Sequence, residues 1–381
     1  MDILAGLSLA IWAYLLLARG GFWLSRQRDD RDTPPAPASW PSVVAVVPAR
    51  DEADVIAASV GSLLGQDYPG PFRVVLVDDE SCDGTADIAR AEAERRGADG
   101  RLEILRSQPL AAGWTGKLWA MSQGVARAGD KPGYLLLTDA DIAHDPGNLS
   151  ALVVRAEAGG LALTSLMAEL HCETFAERLL IPAFVFFFQM LYPFAQVNRP
   201  GSSTAAAAGG CMLVRREALA AAGGVQAIRA ALIDDCAMGA AMKRQGPIWL
   251  GLTHRARSLR PFPTVGSIGQ MVSRSAYAQL DYSPLLLLGT VAGLGVTYLA
   301  PPLIALFGHG AARIAALLAW AGMALAFQPT LGFYRRSPLW GVALPAIAAL
   351  YASFTLESAV QYARGRGGMW KGRAQAPAKP A

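Results

Sequence analysis

Two aspartates directly after an apolar run are the first residues whose type and spacing could carry chemistry. Asp139 and Asp141 follow residues 134–137, which are typical of a buried strand. Mg²⁺ and Mn²⁺ take oxygen ligands and commonly use one or two carboxylates together with substrate phosphates, so this D-x-D pair suits a divalent cation. Because the same pattern occurs by chance in many chains, the predicted metal site needs other polar residues beside it.

Two more acidic clusters each follow an apolar run, as the D-x-D pair does. In open α/β sheets ligands bind outside the carboxyl ends of the strands, and all three clusters would lie at that edge. Helix capping, in which a side-chain oxygen accepts from free backbone N–H groups, explains single residues such as Asp83 or Thr85 equally well, but it does not explain three clusters. The two further clusters are Asp51 and Glu52 after residues 43–47, and Asp78 and Asp79 after residues 73–77.

The elements that must position these clusters alternate along the chain. Short apolar runs at 43–47, 73–77 and 135–137 are separated by helical stretches such as 53–66 and 85–96. Continuous apolar strands that alternate with helices are typical of a parallel sheet covered on both faces. We therefore predict an α/β domain over residues 42–280.

Composition and motifs exclude several other classes of protein. The 381 residues carry 34 basic and 30 acidic side chains with a net charge of +4 and no long basic run in mid-chain, so no nucleic-acid partner is expected. Gly116-Lys117 does not belong to a P-loop, because Leu118 stands where Ser or Thr is needed. The cysteines are too widely spaced for a disulfide framework or a thiolate metal site. They are Cys82, Cys172, Cys211 and Cys236.

The N-terminal end is apolar and predicts a membrane anchor over residues 1–24. Residues 3–18 carry no charge, and about 20 residues span a bilayer. A cleaved signal peptide is the alternative, but Asp2 precedes the apolar run and Arg19 follows it, which is the reverse of a basic n-region. The positive-inside rule places the N-terminus outside and the following chain in the cytoplasm. The proline-rich residues 25–41 are predicted to be a stiff linker.

Three apolar blocks near the C-terminus, within residues 284–362, are each long enough to cross a membrane. Three crossings from a cytoplasmic domain would leave the tail, residues 363–381, outside, whereas its basic side chains favour the inside. Pro301-Pro302 offers one solution, if it makes the first block re-entrant or interfacial. The tail itself is predicted to be disordered. The blocks are 284–307, 311–329 and 339–362.

The most apolar stretch inside the domain, residues 178–198, admits two interpretations. A full crossing is untenable, since it would put the D-x-D pair and a later acidic pair on opposite sides of the membrane. A buried core helix is one alternative. We favour an interfacial helix whose side chains, including Phe186 and Phe187, dip into the headgroup region and bring the site to a lipid-borne hydroxyl.

Six motifs in order along the chain resemble those of a family 2 glycosyltransferase with a GT-A fold. The chain is most similar to the hopanoid-associated glycosyltransferases and more distantly to the ceramide glucosyltransferase type, over residues 42–280. The resemblance implies a nucleotide-sugar half, 42–142, and an acceptor half, 143–280. The motifs are PARDE (48–52), VDDESCDGT (77–85), GWTGK (113–117), TDADI (138–142), GGCMLVRRE (209–217) and IDDCAMG (233–239).

The resemblance also implies roles for individual residues. Asp139 and Asp141 would meet the ribose and, through the metal, the diphosphate. Asp235 would be the catalytic base, while Asp234 beside it is assigned either to catalysis or to capping a helix. The implied nucleotide-sugar contacts are Pro48, Asp51, Glu52, Asp78, Asp79, Lys117 and Asp139, and the implied acceptor-side residues are Gly209, Gly210, Gln270 and Arg274.

These expectations describe a membrane-bound, inverting glycosyltransferase. It would use Mg²⁺ or Mn²⁺, take a nucleotide-sugar donor (by resemblance a UDP-sugar) and transfer the sugar to a lipid acceptor such as a hopanoid. It would be a multi-pass protein of a bacterial-type cytoplasmic (inner) membrane, with its catalytic domain facing the cytoplasm.

Two alternatives stay open at this point. A polysaccharide-extending synthase is disfavoured because the Q-x-x-R-W element of such enzymes is imperfect here: Arg274 lies one residue late after Gln270, and no tryptophan follows. From another class, a non-catalytic lipid-binding or transport-accessory protein could keep the same fold.

Overall fold

The computed structural model describes residues 1–374, which form two compact units. We call them the sheet unit (Gln27–His171 and Gln196–Pro261) and the helical unit (Met1–Arg26, Cys172–Ala195 and the described part of Phe262–Ala381). The strands are β1 Val43–Ala49, β2 Phe72–Asp78, β3 Leu102–Arg106, β4 Tyr134–Thr138, β5 Ile142–His144, β6 Leu163–Glu169, β7 Cys211–Arg215, β8 Ile248–Ser258, β9 Met369–Trp370 and β10 Arg373–Ala374.

The helices lie in both units. They are α1 Asp2–Leu17, α2 Ile56–Leu64, α3 Thr85–Arg95, α4 Gly116–Ala128, α5 Asn148–Ala158, α6 Phe175–Leu191, α7 Phe194–Val197, α8 Arg216–Ala221, α9 Asp234–Lys243, α10 Val265–Ser273, α11 Pro284–Leu294, α12 Ala300–Phe307, α13 Gly310–Phe333 and α14 Leu344–Ala363.

The sheet unit is built on one eight-stranded sheet in the order β3-β2-β1-β4-β7-β6-β8-β5. The first four strands in this order are parallel, as the sequence predicts. The other half differs from the predicted parallel sheet, because β7 runs antiparallel to both β4 and β6, and β5 runs antiparallel to β8. The short strands β5 and β7 follow charged or glycine-containing loops. Their few residues carry no apolar pattern from which the strand direction could be predicted.

The central strand β1 shows why the sheet forms where it does. Its seven residues, mostly valine and alanine, are all buried, as expected for a strand covered on both faces. Helix α4 packs on β1 and β2 at Gly124, where a Cβ atom would come within 2.4 Å of Val46. The close approach that this glycine allows fixes the position of α4 and of the lysine in its first turn.

The predicted linker over residues 25–41 is partly bound to the sheet unit. Leu252 donates its N–H to the Gln27 carbonyl, and Asp29 donates its N–H back to the Leu252 carbonyl, so this stretch pairs along β8. Arg155 then holds Asp32 with an N–O distance of 2.6 Å. Only the proline-rich residues after Asp32 keep the irregular backbone expected of a linker.

The N-terminal helix α1 is shorter than the predicted anchor over residues 1–24. It has 16 residues and therefore a length of about 24 Å, less than the ~30 Å hydrocarbon core of a bilayer. A short 3₁₀ turn, Phe22–Leu24, follows it. Within the helical unit α1 lies against α13, with Trp12 buried and Ile3 90% exposed.

Three C-terminal segments are long and apolar enough to cross a membrane, as predicted: Pro284–Phe307, Gly310–Phe333 and Pro338–Ala363. The first segment stays helical through Pro301-Pro302, so the two prolines do not interrupt it. Pro301 has no N–H for the Thr297 carbonyl, and the indole N–H of Trp12 donates to that carbonyl instead, at 2.8 Å. A π-helical turn, Gly295–Leu299, accommodates the irregularity.

The apolar stretch 178–198 falls largely within α6, which is a buried helix rather than the predicted interfacial one. Phe186 is completely buried and contacts the rings of Phe22 and Phe327, with centroids 5.4 and 5.3 Å apart. Phe187 packs on Tyr351 at 4.9 Å. The core interpretation therefore describes these side chains, because the apolar surroundings they need are supplied by other helices of the same unit.

The predicted disordered tail contains a short hairpin. Met369–Trp370 pairs antiparallel with Arg373–Ala374. The rest of the tail, residues 375–381, lies outside the described residues.

Candidate active site

Lys117 joins the D-x-D motif to the later acidic pair. Its ammonium lies 2.8 Å from Oδ1 of Asp139 and 3.0 Å from Oδ2 of Asp234. The lysine occupies the first turn of α4, where the helix dipole disfavours a positive charge, so two carboxylates offset an otherwise unfavourable position. Burial alone would lower the pKa of Lys117, but the charges of Asp139 and Asp234 outweigh it and raise the pKa above its usual value.

Asp235 stands at the start of α9, beside Asp234, and is held by backbone N–H groups. Its Oδ2 accepts from the N–H of Gly209 at 3.1 Å, and its Oδ1 accepts from the N–H of Cys236 at 2.7 Å. Helix α9 approaches this loop closely at Gly239, where a Cβ atom would lie 2.6 Å from the Ala206 carbonyl carbon. Burial, followed by the charge of Asp234, raises the pKa of Asp235 to about 6.

Asp141, the second aspartate of the D-x-D motif, is paired with an arginine that the sequence did not reveal. Nε of Arg260 lies 3.0 Å from Oδ2 of Asp141, and the same guanidinium also contacts the carboxylate of Glu52. The N–H of Leu259 donates to the Asp141 carbonyl at 2.7 Å. Arg260 thereby links the end of β8 to the loops that follow β1 and β4. Burial alone would lower the pKa of Arg260, and the two carboxylates raise it.

The loops after β1 and β2 are tied together by hydrogen bonds. Ala49 and Asp78 are register partners, and the Asp79 N–H donates to the Ala49 carbonyl at 2.8 Å. Asp78 Oδ1 accepts from the Ser81 N–H at 3.2 Å. Arg50 donates to the Asp79 carbonyl at 2.6 Å, and its guanidinium lies 3.6 Å from the Asp79 carboxylate. Asp78 and Asp79 thus lie at the predicted edge of the sheet.

Asp51 and Asp83 stabilise these loops by accepting hydrogen bonds from backbone N–H groups. Asp51 has a positive φ of 50°, and its Oδ1 accepts from the Cys82 N–H at 2.9 Å. Asp83 accepts from the Thr85 N–H in the first turn of α3 and from the Ala53 N–H in the neighbouring loop. Asp83 therefore has a structural place beside the N-terminus of α3, although the N-cap residue itself is Gly84 and makes no side-chain cap bond.

The remaining predicted residues of the sheet unit line the same edge or support it. Pro48 is buried within β1 opposite Val77. A Cβ atom on Gly209 would lie 3.4 Å from the Lys117 ammonium, and one on Gly210 would lie 3.1 Å from Ile142, so both glycines leave space that a side chain would fill. Gly210 also accepts from the Thr138 hydroxyl at 2.7 Å.

A buried histidine supports the strand that carries the D-x-D motif. His144 lies 3.0 Å from the Thr138 hydroxyl and 2.9 Å from the Asn148 amide nitrogen. Burial lowers the pKa of His144 to about 4, so the ring is neutral at physiological pH. Its place is structural, since it fixes the end of β4 one residue before Asp139.

Gln270 and Arg274, predicted on the acceptor side, belong to the helical unit. Gln270 is on α10 and Arg274 follows its last residue, and both side chains are exposed. Helix α10 packs on α14, with Gly269 pressed against the Phe354 ring. The two residues are therefore not members of the charge cluster in the sheet unit.

The donor atoms fit a divalent cation that the substrate helps to coordinate. Asp139 and Asp141 supply oxygen ligands, while no cluster of three His, Cys, Asp or Glu side chains suited to a metal occurs within residues 1–374. Mg²⁺ commonly binds through one or two carboxylates plus substrate phosphates, which is the arrangement that two aspartates can complete. The charge balance agrees, because five carboxyl groups surround the two cations Lys117 and Arg260. The five are Glu52, Asp139, Asp141, Asp234 and Asp235.

Sequence reasoning missed Arg260 because no motif contains it. The one signal was its position: it is the second residue after β8 ends and precedes Pro261, which prevents the strand from continuing. If the position of β8 in the sheet were known, the topology would have indicated that an arginine after this strand lies beside the acidic residues at the edge of the sheet.

The chain is similar to known glycosyltransferases in sequence and in fold. The model of a protein family described as "Glycosyl transferase family 2" matches residues 44–223. A solved mannosyltransferase, PcManGT from Pyrobaculum calidifontis in complex with GDP-Man and Mn²⁺, aligns with a TM-score of 0.57 at 20% identity over 94% of this chain and 98% of that chain. S. aureus TarS 1-349 in complex with UDP aligns with a TM-score of 0.41 at 12% identity, over 85% of this chain and 92% of that one. No curated protein matches significantly.

Residues 44–223 therefore match a glycosyl transferase family 2 domain, the fold is the mixed α/β GT-A fold, and the protein is an enzyme of the glycosyltransferase class. The alignment to the mannosyltransferase covers more of the chain than residues 44–223.

Proposed function

We propose that the protein is a membrane-bound inverting glycosyltransferase that moves a sugar from a nucleotide-diphosphate donor to a lipid hydroxyl. The observation that carries the proposal is the Lys117 bridge between Asp139 and Asp234. Through this bridge the D-x-D motif, which would hold the donor diphosphate, lies beside Asp235, which would receive the acceptor's proton. Asp234 is then a positioning residue that holds Lys117.

The geometry supports a single displacement. The acceptor oxygen attacks the anomeric carbon, the bond from that carbon to the diphosphate breaks, and the leaving nucleoside diphosphate keeps the electron pair. Asp235 takes the proton of the acceptor hydroxyl as general base. Attack opposite the leaving group inverts the anomeric configuration, in the manner of inverting glycosidases that act in one step. Lys117 and Arg260 stabilise charge on the leaving group's side.

A divalent cation bound by Asp139 and Asp141 would supply Lewis-acid stabilisation of the diphosphate oxygens. Charge supports the assignment, because a diphosphate cannot approach a cluster with excess carboxylates unless positive charge is added. Glu52, Asp78 and Asp79 would bind the nucleoside, since they lie at the carboxyl ends of β1 and β2. The resemblance of the motifs favours a UDP-sugar, whereas PcManGT was solved with GDP-Man.

The lipid acceptor and the membrane location are supported by the helical unit. Three of its segments are long and apolar enough to cross a bilayer, and leucines on them are widely exposed, such as Leu285 at 77% and Leu303 at 56%. We propose a multi-pass protein of a bacterial-type inner membrane whose sheet unit faces the cytoplasm. A hopanoid is the acceptor that the resemblance favours, with Gln270 and Arg274 on its path.

The test is a donor screen on membranes that contain the full-length protein. Membranes are incubated with Mn²⁺ and labelled UDP- and GDP-sugars, and the lipids are extracted with and without added hopanoid. We expect label in the lipid fraction from one donor, and a loss of about 10²-fold or more in Asp141→Asn, comparable to removing one electrostatic stabiliser. The matched control is Asp145→Asn, a surface aspartate paired with Arg257.

Each other result contradicts a distinct part of the proposal. Label that enters a water-soluble polymer would instead support a polysaccharide-extending synthase. Label in lipid that Asp141→Asn leaves unchanged would remove the metal role assigned to this residue. Label in no product from any donor would overturn transfer to a lipid.

A further inference from the structure

We propose that the third apolar segment, Pro338–Ala363, enters and leaves the membrane on the same side, so that α14 ends on the side where α11 begins. The proposal rests on the proposed membrane function. It addresses the conflict in the sequence between three apolar segments and a basic tail, and every contact that carries it lies within the helical unit.

The first two segments form a hairpin that defines the two sides. The first segment ends at Phe307, a short turn through Gly308 and His309 follows, and α13 runs back along α12. Helix α1 runs in the same direction as α13, because Ala5 belongs to a cluster with Ala312 and Ala316, while Gly322 lies beside Leu16. The turn at His309 and the start of α1 therefore mark one side, which we call the far side. The start of α11 and the end of α13 mark the near side.

The third segment does not begin as a crossing helix. After α13 ends, a 3₁₀ stretch, Pro338–Ala343, runs back along α13. The Gln328 amide donates to the Pro338 carbonyl at 3.1 Å, and the Trp320 indole donates to the Val342 carbonyl at 3.2 Å. Residues 328 and 320 are separated by about 12 Å along a helix. The chain thus returns partway toward the far side before α14 starts.

Helix α14 then ends on the near side. The ring of Tyr362, at the end of α14, stacks on Tyr282, two residues before α11, with centroids 4.5 Å apart and planes inclined by 24°. Tyr277 packs against both rings. The Ser358 hydroxyl binds the backbone of the same loop, accepting from the Tyr277 N–H at 3.0 Å. A helix that had crossed to the far side could not make these contacts.

The distribution of basic residues along the segments is an independent observation that agrees with this arrangement. Arg335 and Arg336 follow α13, and Arg364 and Arg366 follow α14, so both pairs lie on the near side. The far-side turn carries His309, and the nearest arginine is Arg313. Basic residues flanking membrane segments mark the cytoplasmic side. Tyrosines such as Tyr282 and Tyr362 are typical of the membrane–water interface.

The experiment measures the side of single cysteines in the full-length protein in bacterial cells. In a background in which the four native cysteines are replaced by serine, His309→Cys reports the far side and Arg366→Cys reports the end of α14. Asp99→Cys, in an exposed turn of the sheet unit, reports the side of the catalytic domain. A membrane-impermeant thiol reagent is applied to intact spheroplasts and to permeabilised ones, and membranes are washed with alkaline carbonate.

We expect His309→Cys to react in intact spheroplasts, and Arg366→Cys and Asp99→Cys to react only after permeabilisation. Labelling of Arg366→Cys in intact spheroplasts would overturn the proposal and restore three crossings. Labelling of all three only after permeabilisation would also overturn it, since no segment would then cross. Release of the protein by carbonate would instead contradict the membrane location itself, which separates failure of the proposed function from failure of this arrangement.

Discussion

The two units of the protein place charge and apolar surface in opposite ways. In the sheet unit, carboxylates such as Asp79 and Glu52 are 1% and 7% exposed and contact arginines, while the side chains of central strands such as β1 and β4 are buried. In the helical unit, apolar side chains such as Leu285 and Ile314 are 77% and 62% exposed. Burying a charge is costly unless it is paired, and exposing a large apolar surface is costly in water. The difference indicates that the two units are adapted to different solvents.

The two units are also held together by different contacts, ring packing in the helical unit and ion pairs in the sheet unit. In the helical unit, edge-to-face ring contacts hold helices together: Phe186 of α6 packs on Phe327 of α13, and Phe187 packs on Tyr351 of α14. In the sheet unit, cations join loops that are distant in sequence, as Arg260 joins Asp141 to Glu52. One unit is therefore sensitive to volume changes and the other to charge changes, and the predictions below test this contrast.

The largest effect is expected from Asp235→Asn, which keeps the shape of the side chain and removes its charge. We expect transfer to fall about 10³-fold, within the range of general-base catalysis. In the unmodified enzyme the rate should fall as pH drops below about 6, because the pKa of Asp235 is raised to about 6 and the protonated acid cannot accept a proton. The measurement is the pH profile of kcat/KM for lipid transfer.

Two comparisons decide whether the effect belongs to Asp235. Asp130→Asn, on an exposed carboxylate paired with Arg216, should leave both the rate and the pH profile unchanged. The acid limb of the profile should disappear in the residual activity of Asp235→Asn. A limb that persists in this variant would assign the titration to another group.

The sequence predicted the sheet half that depends on apolar pattern and missed the contacts that depend on topology. The runs at β1, β2 and β4 are mostly apolar without interruption, so their strands and the acidic ends after them were predictable. The reversal at β7 was not, since a five-residue strand after two glycines has no distinctive period. Arg260 was missed for the same reason, because its partners are 119 and 208 residues away.

In the helical unit, the apolar segments were predictable from the sequence, but the surroundings of their side chains were not. Hydropathy predicted three C-terminal segments long and apolar enough to cross a membrane, and this was confirmed, although the second segment extends over Gly310–Phe333 rather than 311–329. The environment of α6 did not follow, because a run of phenylalanines suits a lipid interface and a helix core equally well. Phe186 lies in a core since its neighbours Phe22 and Phe327 come from distant parts of the chain.

A smaller effect, on stability rather than on chemistry, is expected from Phe186→Ala. Removing a completely buried phenylalanine leaves a cavity, which costs about 3–5 kcal/mol of the free energy of unfolding. The matched variant Leu288→Ala, on a side chain that is 67% exposed, should change the free energy by less than about 0.5 kcal/mol. The measurement is chemical unfolding in detergent. Equal losses in the two variants would contradict the helix core described for α6.

The smallest effect concerns Arg260→Ala and is read as metal affinity rather than activity. The Arg260 guanidinium contacts Asp141 and Glu52. It therefore competes with a divalent cation for the Asp141 carboxylate, which the cation would need as a ligand. Removing the arginine leaves that carboxylate without its cationic neighbour, and like charges nearby favour a bound cation. We expect Mn²⁺ alone, without nucleotide, to bind about tenfold more tightly, a change of about 1.4 kcal/mol. Electron paramagnetic resonance of free Mn²⁺ measures the dissociation constant.

Two variants separate competition at Asp141 from a general change in surface charge. Arg257→Ala removes an arginine from the same region, near the end of β8, that pairs with Asp145, and it should leave Mn²⁺ affinity unchanged. Arg260→Lys keeps the charge but not the two-pronged geometry that reaches both carboxylates, so its affinity should fall between those of the unmodified protein and Arg260→Ala. Weaker Mn²⁺ binding in Arg260→Ala would show that the arginine organises the metal ligands instead of competing for them, and the sheet unit would then depend on the shape of this contact as strictly as the helical unit depends on Phe186.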